Sequence, residues 1–196
     1  MALAFRSVCR ITISTLVVFS VSACTGKGFT QKSESMMPTL LPGDHFFEEQ
    51  ISLEKLKRGM VIIITTASGD QRVYRLIGKP GDRVAMKNGV PIINGEPALQ
   101  ASLGPSDVTD LMGGGKARLI RERLPGELED HRILDDGWFP QADEMDEILV
   151  TNGHYFVMGD CRDRSADSRI SPTINGLGMI TASQLAGIVR VDSSIN

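Results

Sequence analysis

Short apolar runs separated by glycine, proline and asparagine make up most of the chain after its first 60 residues. Valine, isoleucine, threonine and aromatic residues are concentrated in these runs, which is the composition of β-strands. No long segment repeats apolar residues every three or four positions, as a helix packed on one face would require. The pattern therefore predicts a mostly β, antiparallel fold, with strands at 61–66, 72–77, 148–150, 155–158 and 186–191.

Two Asn-Gly pairs mark tight turns between short apolar segments. Asn88-Gly89 separates residues 84–86 from 90–93, and Asn94-Gly95 follows the second segment directly. Asparagine and glycine both tolerate positive φ, which the commonest two-residue hairpin turn requires at its central positions. The pairs therefore predict β-hairpins. The sequence Lys-Pro-Gly-Asp at 79–82 predicts another turn.

The composition changes between residues 98 and 146. Glycine, proline and acidic residues replace the strand pattern there, and residues 113–115 are three consecutive glycines. We interpret 98–146 as a small inserted β and loop subdomain with mobile loops. It would interrupt a single β domain formed by 33–97 and 147–196.

The N-terminal 24 residues have the order of an export or anchoring segment. Arg6 and Arg10 precede an apolar run at 11–23, which is shorter than the roughly 20 residues of a comfortable membrane span. The run ends in Val-Ser-Ala-Cys, which resembles a bacterial lipobox and would make Cys24 a lipid-modified first residue. The alternative is an uncleaved anchor extended through residues 2–5. In both cases residues 25–32 are a linker, and the basic flank keeps the rest of the chain on the outer face of the membrane.

Composition and charge argue against several classes of protein. A formal net charge of -3 without a basic cluster excludes a nucleic-acid partner. Three scattered cysteines indicate neither a disulfide framework nor a metal cluster. The acidic runs at 127–130 and 143–147 lack the spacing of a calcium loop. We expect a monomer that needs no metal or organic cofactor.

Four blocks of sequence resemble the type I signal peptidase family. Residues 33–40 read Ser-Glu-Ser-Met-Met-Pro-Thr-Leu and match that family's nucleophile motif, Ser-Met-x-Pro-Thr-Leu, from Ser35 onward. The other blocks follow in the family's order: Lys-Arg-Gly-Met-Val-Ile at 57–62, Arg-Leu-Ile-Gly-Lys-Pro-Gly-Asp at 75–82, and Gly-Asp-Cys-Arg-Asp-Arg-Ser-Ala-Asp-Ser-Arg at 159–169. The last block differs from the family pattern mainly at Cys161 and Arg164.

The resemblance implies a membrane-associated serine endopeptidase that removes signal peptides from exported preproteins. Its catalytic domain would be an antiparallel β-sheet structure on the outer face of the bacterial cell membrane. Ser35 would be the nucleophile, and its backbone N–H and the Ser33 hydroxyl would stabilise the oxyanion. Ser165 would orient the catalytic base. The bound peptide would add to the structure as a β-strand.

Four charged residues of the last block have a structural role in that family. The resemblance implies that Asp167 pairs with Arg169 beside the base, and that Asp160 pairs with Arg162. Breaking one such buried pair typically costs about 3 to 5 kcal/mol, so we expect these residues to support the architecture. Cys161 would be a small buried residue in place of asparagine.

The catalytic lysine of the bacterial family members is missing. The residue before Arg75 is Tyr74, where those members have lysine. Burial lowers the pKa of a lysine from about 10.4 and makes it a base, whereas it raises the pKa of a tyrosine above about 10. Tyr74 could act as a base only if a cation, such as Arg162 or Arg169, held it as phenolate.

The other candidate bases are weaker. Lys79 lies five residues further on, in a turn. His154, with Asp160, suggests a Ser-His-Asp arrangement, but the histidine of the endoplasmic-reticulum relatives occupies the lysine's position, which His154 does not. His45 and His131 lie in polar, loop-like sequence and are expected to carry no chemistry.

Two hypotheses compete with an active peptidase. The first is a homologue that lost its base and acts as a peptide-binding or regulatory module, and Tyr74 motivates it. The second, a self-cleaving repressor, is weakened because no DNA-binding domain precedes Ser33.

Overall fold

The computed structural model describes residues 27–107 and 116–189. The N-terminal segment, including Cys24, lies outside these ranges, as do the glycines at 113–115. Within the described ranges, no helix is long and apolar enough to cross a membrane. The strands are β1 Gly28–Thr30, β2 His45–Glu49, β3 Val61–Thr65, β4 Gln71–Gly78, β5 Arg83–Lys87, β6 Val90–Ile93, β7 Glu96–Pro97, β8 Leu99–Pro105, β9 Arg118–Arg123, β10 His131–Asp135, β11 Met145–Leu149, β12 His154–Met158, β13 Ile180–Thr181 and β14 Leu185–Val189.

Helical structure in the described part of the chain is limited to single 3₁₀ turns. They lie at Glu34–Met36, Leu53–Lys55, Pro140–Ala142, Arg162–Arg164, Pro172–Ile174 and Ala182–Gln184.

In the described part of the chain, three antiparallel sheets contain these fourteen strands. The largest has the order β1-β2-β14-β3-β4-β12-β13, the second β10-β9-β8, and the third β11-β5-β6-β7. This arrangement confirms the predicted mostly β, antiparallel fold. All five strands predicted from the apolar runs are present.

Both predicted Asn-Gly hairpins are confirmed. Lys87 at the end of β5 faces Val90 at the start of β6, so Asn88 and Gly89 form the whole loop. Their φ angles are 50° and 75°, which is the left-handed region that this turn requires. The β6–β7 hairpin turns in the same way, since Ile93 faces Glu96.

The region 98–146 is richer in strands than its composition predicted. β8, β9 and β10 form a sheet of their own, with registers such as Ile120 opposite Ile133. β11 begins at Met145 and pairs with β5 in a different sheet. The boundaries of the inserted subdomain stay a prediction.

The largest sheet is apolar on both faces where β3 and β4 lie at its centre. Ile62 and Leu76 belong to a cluster on one face, while Ile63 and Val73 belong to a cluster on the other. The second cluster also contains Met36, whose side chain is fully buried. Burying a side chain of this size contributes about 1.5 to 3 kcal/mol. The 3₁₀ turn Glu34–Met36 is therefore anchored to the central strands by its last residue.

Candidate active site

The segment that carries Ser35 is held by local and long-range bonds. Ser33 Oγ and Ser35 Oγ lie 3.0 Å apart, and either hydroxyl can be the donor. Leu40 N donates to Met36 O at 2.9 Å, which closes the turn after Ser35. Cys161 N donates to Ser35 O at 3.0 Å. The nucleophile motif and the last sequence block are therefore joined directly at Ser35.

Gly159 permits the close approach of these two segments. A Cβ atom at this position would lie 2.4 Å from Ser165 Oγ and 2.5 Å from Ser35 O. Real side chains do not approach backbone so closely, and therefore only glycine fits here. Gly159 belongs to the matched Gly-Asp block, but its role becomes visible only in the folded structure.

A cleft of about 790 Å³ opens beside Ser35. Predicted site residues Ser33, Ser35 and Tyr74 all line it. Its other walls include the edge strand β1, the start of β4, and Arg164 with Ala166. The structure thus brings the candidate nucleophile and the residue at the base position to one concave surface.

Tyr74 is buried and acts as a hydrogen-bond donor. Its side chain is among the buried core residues at 3% exposure, and Oη donates to Ala166 O at 3.1 Å. Burial raises the pKa of the Tyr74 phenol above its ordinary value, and the neighbouring Arg72 opposes this only in part. Tyr74 therefore keeps its proton at neutral pH.

Ser165 has no partner for its hydroxyl. The residue is 5% exposed, and its Oγ is buried without a hydrogen bond to any of the described residues. Leaving a buried hydroxyl unsatisfied costs about 1 to 3 kcal/mol. Tyr74 does not hydrogen-bond to Ser165. Its hydroxyl donates instead to the backbone carbonyl of Ala166, the residue after Ser165.

The expected pairing of Asp160 with Arg162 is wrong. Arg75 on β4 binds Asp160 through both ends of its guanidinium, with Nε–Oδ1 at 2.7 Å and Nη2–Oδ2 at 2.6 Å. Thr39 Oγ1 donates to the same carboxylate. This bidentate geometry leaves no place for Arg162, whose Nη1 instead donates to Glu122 Oε2 at 3.1 Å.

Asp167 and Arg169 form a buried ion pair. Arg169 Nε and Nη2 donate to the two carboxylate oxygens, each at 2.9 Å. Gly159 N donates to Asp167 Oδ2 at 3.0 Å. The pair therefore supports the backbone at the close approach between Ser35 and Ser165.

The weaker candidate bases lie elsewhere. Lys79 is not among the residues that line the cleft, and its backbone N donates to Asp82 in the turn. His154 Nδ1 lies 3.0 Å from Thr151 Oγ1 within its own turn. Asp160 faces Arg75 and Thr39, so the Ser-His-Asp arrangement is not formed.

Cys161 and His131 are both buried. Cys161 is 1% exposed, and burial raises the pKa of its thiol to about 12, which agrees with a packing role. The loop-like surroundings expected for His131 are wrong, since it lies on β10. Its Nε2 is 3.1 Å from Glu122 Oε1, and its Nδ1 is 3.3 Å from Glu127 Oε2. No pattern in the sequence indicates this cluster, because its members come together only when β9 and β10 pair.

Comparison with known proteins gives consistent matches. A family profile described as signal peptidase, peptidase S26, matches residues 4–193. Signal peptidase I of Bacillus licheniformis is 31% identical over 189 residues, covering 93% of this chain and 84% of that protein. Signal peptidase I T of Bacillus subtilis (strain 168) is 31% identical over 180 residues, covering 90% and 78%. A solved signal peptidase I from Enterococcus faecalis V583 is 23% identical, with a TM-score of 0.40, and the match covers 71% of this chain and 100% of that one.

Proposed function

Since this chain belongs to the signal peptidase family, peptidase S26, we propose that it binds the signal peptides of exported preproteins in the cleft beside Ser35. We further propose that the native chain cleaves them poorly, as a catalytically impaired homologue. The bond from Tyr74 Oη to Ala166 O carries this proposal, because it directs a protonated phenol at a backbone acceptor instead of at Ser35.

The cleft suits an extended peptide. Its volume of about 790 Å³ is that of a site for a few side chains. Gly28, Phe29 and Thr30 of β1 line it, and β1 is an end strand of the largest sheet. A strand at the end of a sheet has free backbone donors and acceptors, so a peptide can bind there as an added strand.

No activating base contacts Ser35 within the described ranges. A serine hydroxyl is a weak nucleophile unless a neighbouring base accepts its proton. Among the described residues, the hydrogen-bond partner of Ser35 Oγ is Ser33 Oγ, which is itself a hydroxyl. A proton acceptor for Ser35 Oγ is therefore missing among the described residues.

A second candidate function is full endopeptidase activity with Tyr74 as a phenolate base. The position of Arg72 favours this second function, because its guanidinium lowers the pKa of Tyr74. Burial raises the same pKa by more, so the net pKa stays above its ordinary value. Arg162 and Arg169 do not support this function, because both are bound to carboxylates.

Cleavage of a purified preprotein by the full-length protein separates the two functions. We expect slow or no cleavage by wild type, and a gain of at least about 100-fold in Tyr74→Lys, because a positioned general base typically contributes 10²–10⁴-fold. Adding Ser35→Ala to Tyr74→Lys should abolish that gain. Rapid cleavage by wild type that is lost equally in Ser35→Ala and Tyr74→Phe would instead establish the phenolate peptidase.

The N-terminal segment supports a membrane location. Signal peptidases I are generally membrane-associated proteins, and residues 1–24 have the order of a basic flank followed by an apolar run. We propose that this segment tethers the chain to the bacterial cell membrane, through lipid on Cys24 or as an uncleaved anchor. The folded part would then face outward, where exported preproteins emerge.

A further inference from the structure

The cleft at Ser35 is lined by more basic than acidic side chains. Lys32, Arg72 and Arg164 line it, and Asp70 is the one acidic residue among the described lining residues. The whole chain has a net charge of -3, so the cleft is opposite in sign to the protein. A concave surface of one sign concentrates ligands of the other sign.

Arg164 forms a fixed wall of the cleft. Its Nε and Nη2 both lie 2.7 Å from Asp136 Oδ2, and its guanidinium carbon lies 4.8 Å from the centre of the Trp138 ring. Asp136 offsets the charge of Arg164, while the two contacts hold the side chain in place. The positive excess of the cleft therefore rests on Lys32 and Arg72.

Lys32 and Arg72 are both exposed, and each lies close in sequence to a candidate site residue. Lys32 immediately precedes Ser33, and Arg72 is two residues before Tyr74 on β4, hence on the same face of that strand. Neither forms an ion pair with a carboxylate in the described ranges, and Asp70 accepts a bond from Ser68 at 2.7 Å. Arg72 also lies beside the Tyr74 hydroxyl, which is uncharged, so a carboxylate offsets neither cation among the described residues.

We propose that this cleft selects peptide segments that carry an aspartate or glutamate side chain near the residue bound at Ser35, with Arg72 and Lys32 as the residues that determine this preference. The inference rests on the proposed function and adds to it the chemical class of the peptide. A carboxylate beside either cation gains charge-assisted hydrogen bonds, which a neutral side chain of the same size does not.

Binding of paired peptides to the full-length protein in detergent tests the inference. Each labelled peptide has alanine at the first and third positions before the expected cut and a single glutamate or glutamine, moved through about eight positions. We expect glutamate to bind about two- to tenfold more tightly than glutamine at one or two positions at low salt, as for exposed ion pairs. The preference should fall at 0.5 M salt.

Variants identify the cations involved. Arg72→Gln and Lys32→Gln should each reduce the glutamate preference, and Arg72→Lys should retain most of it. Lys87→Gln is the matched control, because Lys87 is an exposed cation on β5 that does not line the cleft, and it should leave the preference unchanged.

The outcomes distinguish this inference from the proposed function. Equal binding of glutamate and glutamine peptides at every position overturns the inference and leaves peptide binding intact. A preference that survives both Arg72→Gln and Lys32→Gln also overturns it. Failure of every peptide to bind overturns the proposed function together with the inference.

Discussion

At Tyr74, the same surroundings have opposite chemical consequences for two residue types. An apolar pocket favours the neutral form of any ionisable group. For lysine the neutral form is an amine that accepts a proton, whereas for tyrosine it is a phenol that donates one. Burial of Tyr74, with its bond to Ala166 O, therefore converts the position of a base into that of a donor.

Gly159 offers a direct test of the packing around Ser35. Gly159→Ala places a methyl group 2.5 Å from both Ser165 Cβ and Ser35 O, so the two segments must move apart. We expect a loss of about 1 to 3 kcal/mol in the free energy of unfolding, measured by urea titration. Gly28→Ala is the control, since its Cβ would meet only the Phe47 ring at 3.6 Å. An equal effect of both changes would contradict the close approach.

Cys161 should be inert in the folded protein. Its thiol is buried with a pKa raised to about 12, and only thiolates react readily with alkylating reagents. We expect peptide mapping by mass spectrometry to show little alkylation of Cys161 at pH 8 without denaturant and complete alkylation in urea. Rapid alkylation of the native protein would show that the residue is accessible.

At the scale of the elements, a buried charged cluster joins the sheet β8–β10 to the segment after Gly159. Glu122 on β9 contacts both His131 on β10 and Arg162, while Glu127 contacts the other side of His131. When His131 is protonated, the cluster contains two cations, His131 and Arg162, which balance the charges of the two glutamates. The neighbouring Arg75 and Asp160 neutralise each other as an ion pair.

The charge of this cluster predicts a pH dependence of stability. Burial and Arg75 lower the pKa of His131, but the two glutamates and Asp160 outweigh them, so its pKa is raised in the folded state. Because the pKa of His131 is higher in the folded state, its protonation stabilises the fold. This stabilisation is complete at pH values below the pKa in the unfolded chain, about 6.5, and is lost as the pH rises through the pKa in the folded state. We expect the free energy of unfolding to fall as the pH rises above about 6.5.

Urea titrations of two histidine variants check this prediction. His131→Gln should flatten the pH dependence above about pH 6.5, even if it lowers stability overall. His154→Gln is the control, because the hydrogen bonds given for the His154 ring lie within its own turn, away from the cluster, and it should retain the wild-type slope. An unchanged slope in His131→Gln would refute the role of His131.

At the scale of the whole molecule, the N-terminal segment should determine where the protein is found. We expect the full chain in the membrane fraction of a bacterial host, and removal of residues 2–23 should release it, because the apolar run is lost. Fractionation followed by immunoblotting measures this. A full chain recovered in the soluble fraction would contradict the tether.

The mass of the mature N-terminus identifies the kind of tether. A lipid-modified chain that begins at Cys24 would establish the lipoprotein, whereas an intact Met1 would establish an uncleaved anchor. Cys24→Ser should abolish the lipid and the cleavage in the first case, whereas in the second it should change the mass only by the difference between cysteine and serine. Cys9→Ser is the matched control, since Cys9 lies inside the segment that lipoprotein processing would remove.

The sequence alone determined the features that depend on neighbouring residues. Asn88-Gly89 and Asn94-Gly95 specified two hairpins, because turn type follows from the φ angles that a few residues allow. Runs of β-branched residues specified the central strands, and the motif from Ser35 to Leu40 specified the family. In region 98–146, composition did not predict three strands, because weak local preferences there are decided by pairing with distant segments.

Only the tertiary structure decided which distant groups meet. Asp160 faces Arg75, 85 residues away, instead of its near neighbour Arg162, because β4 and β12 pair with Arg75 opposite Met158. Tyr74 donates to Ala166 O, 92 residues away, and His131 is buried between two glutamates. Such contacts depend on strand register and side-chain packing over the whole chain. For that reason the sequence could place Tyr74 at the base position, while only the fold showed where its proton points.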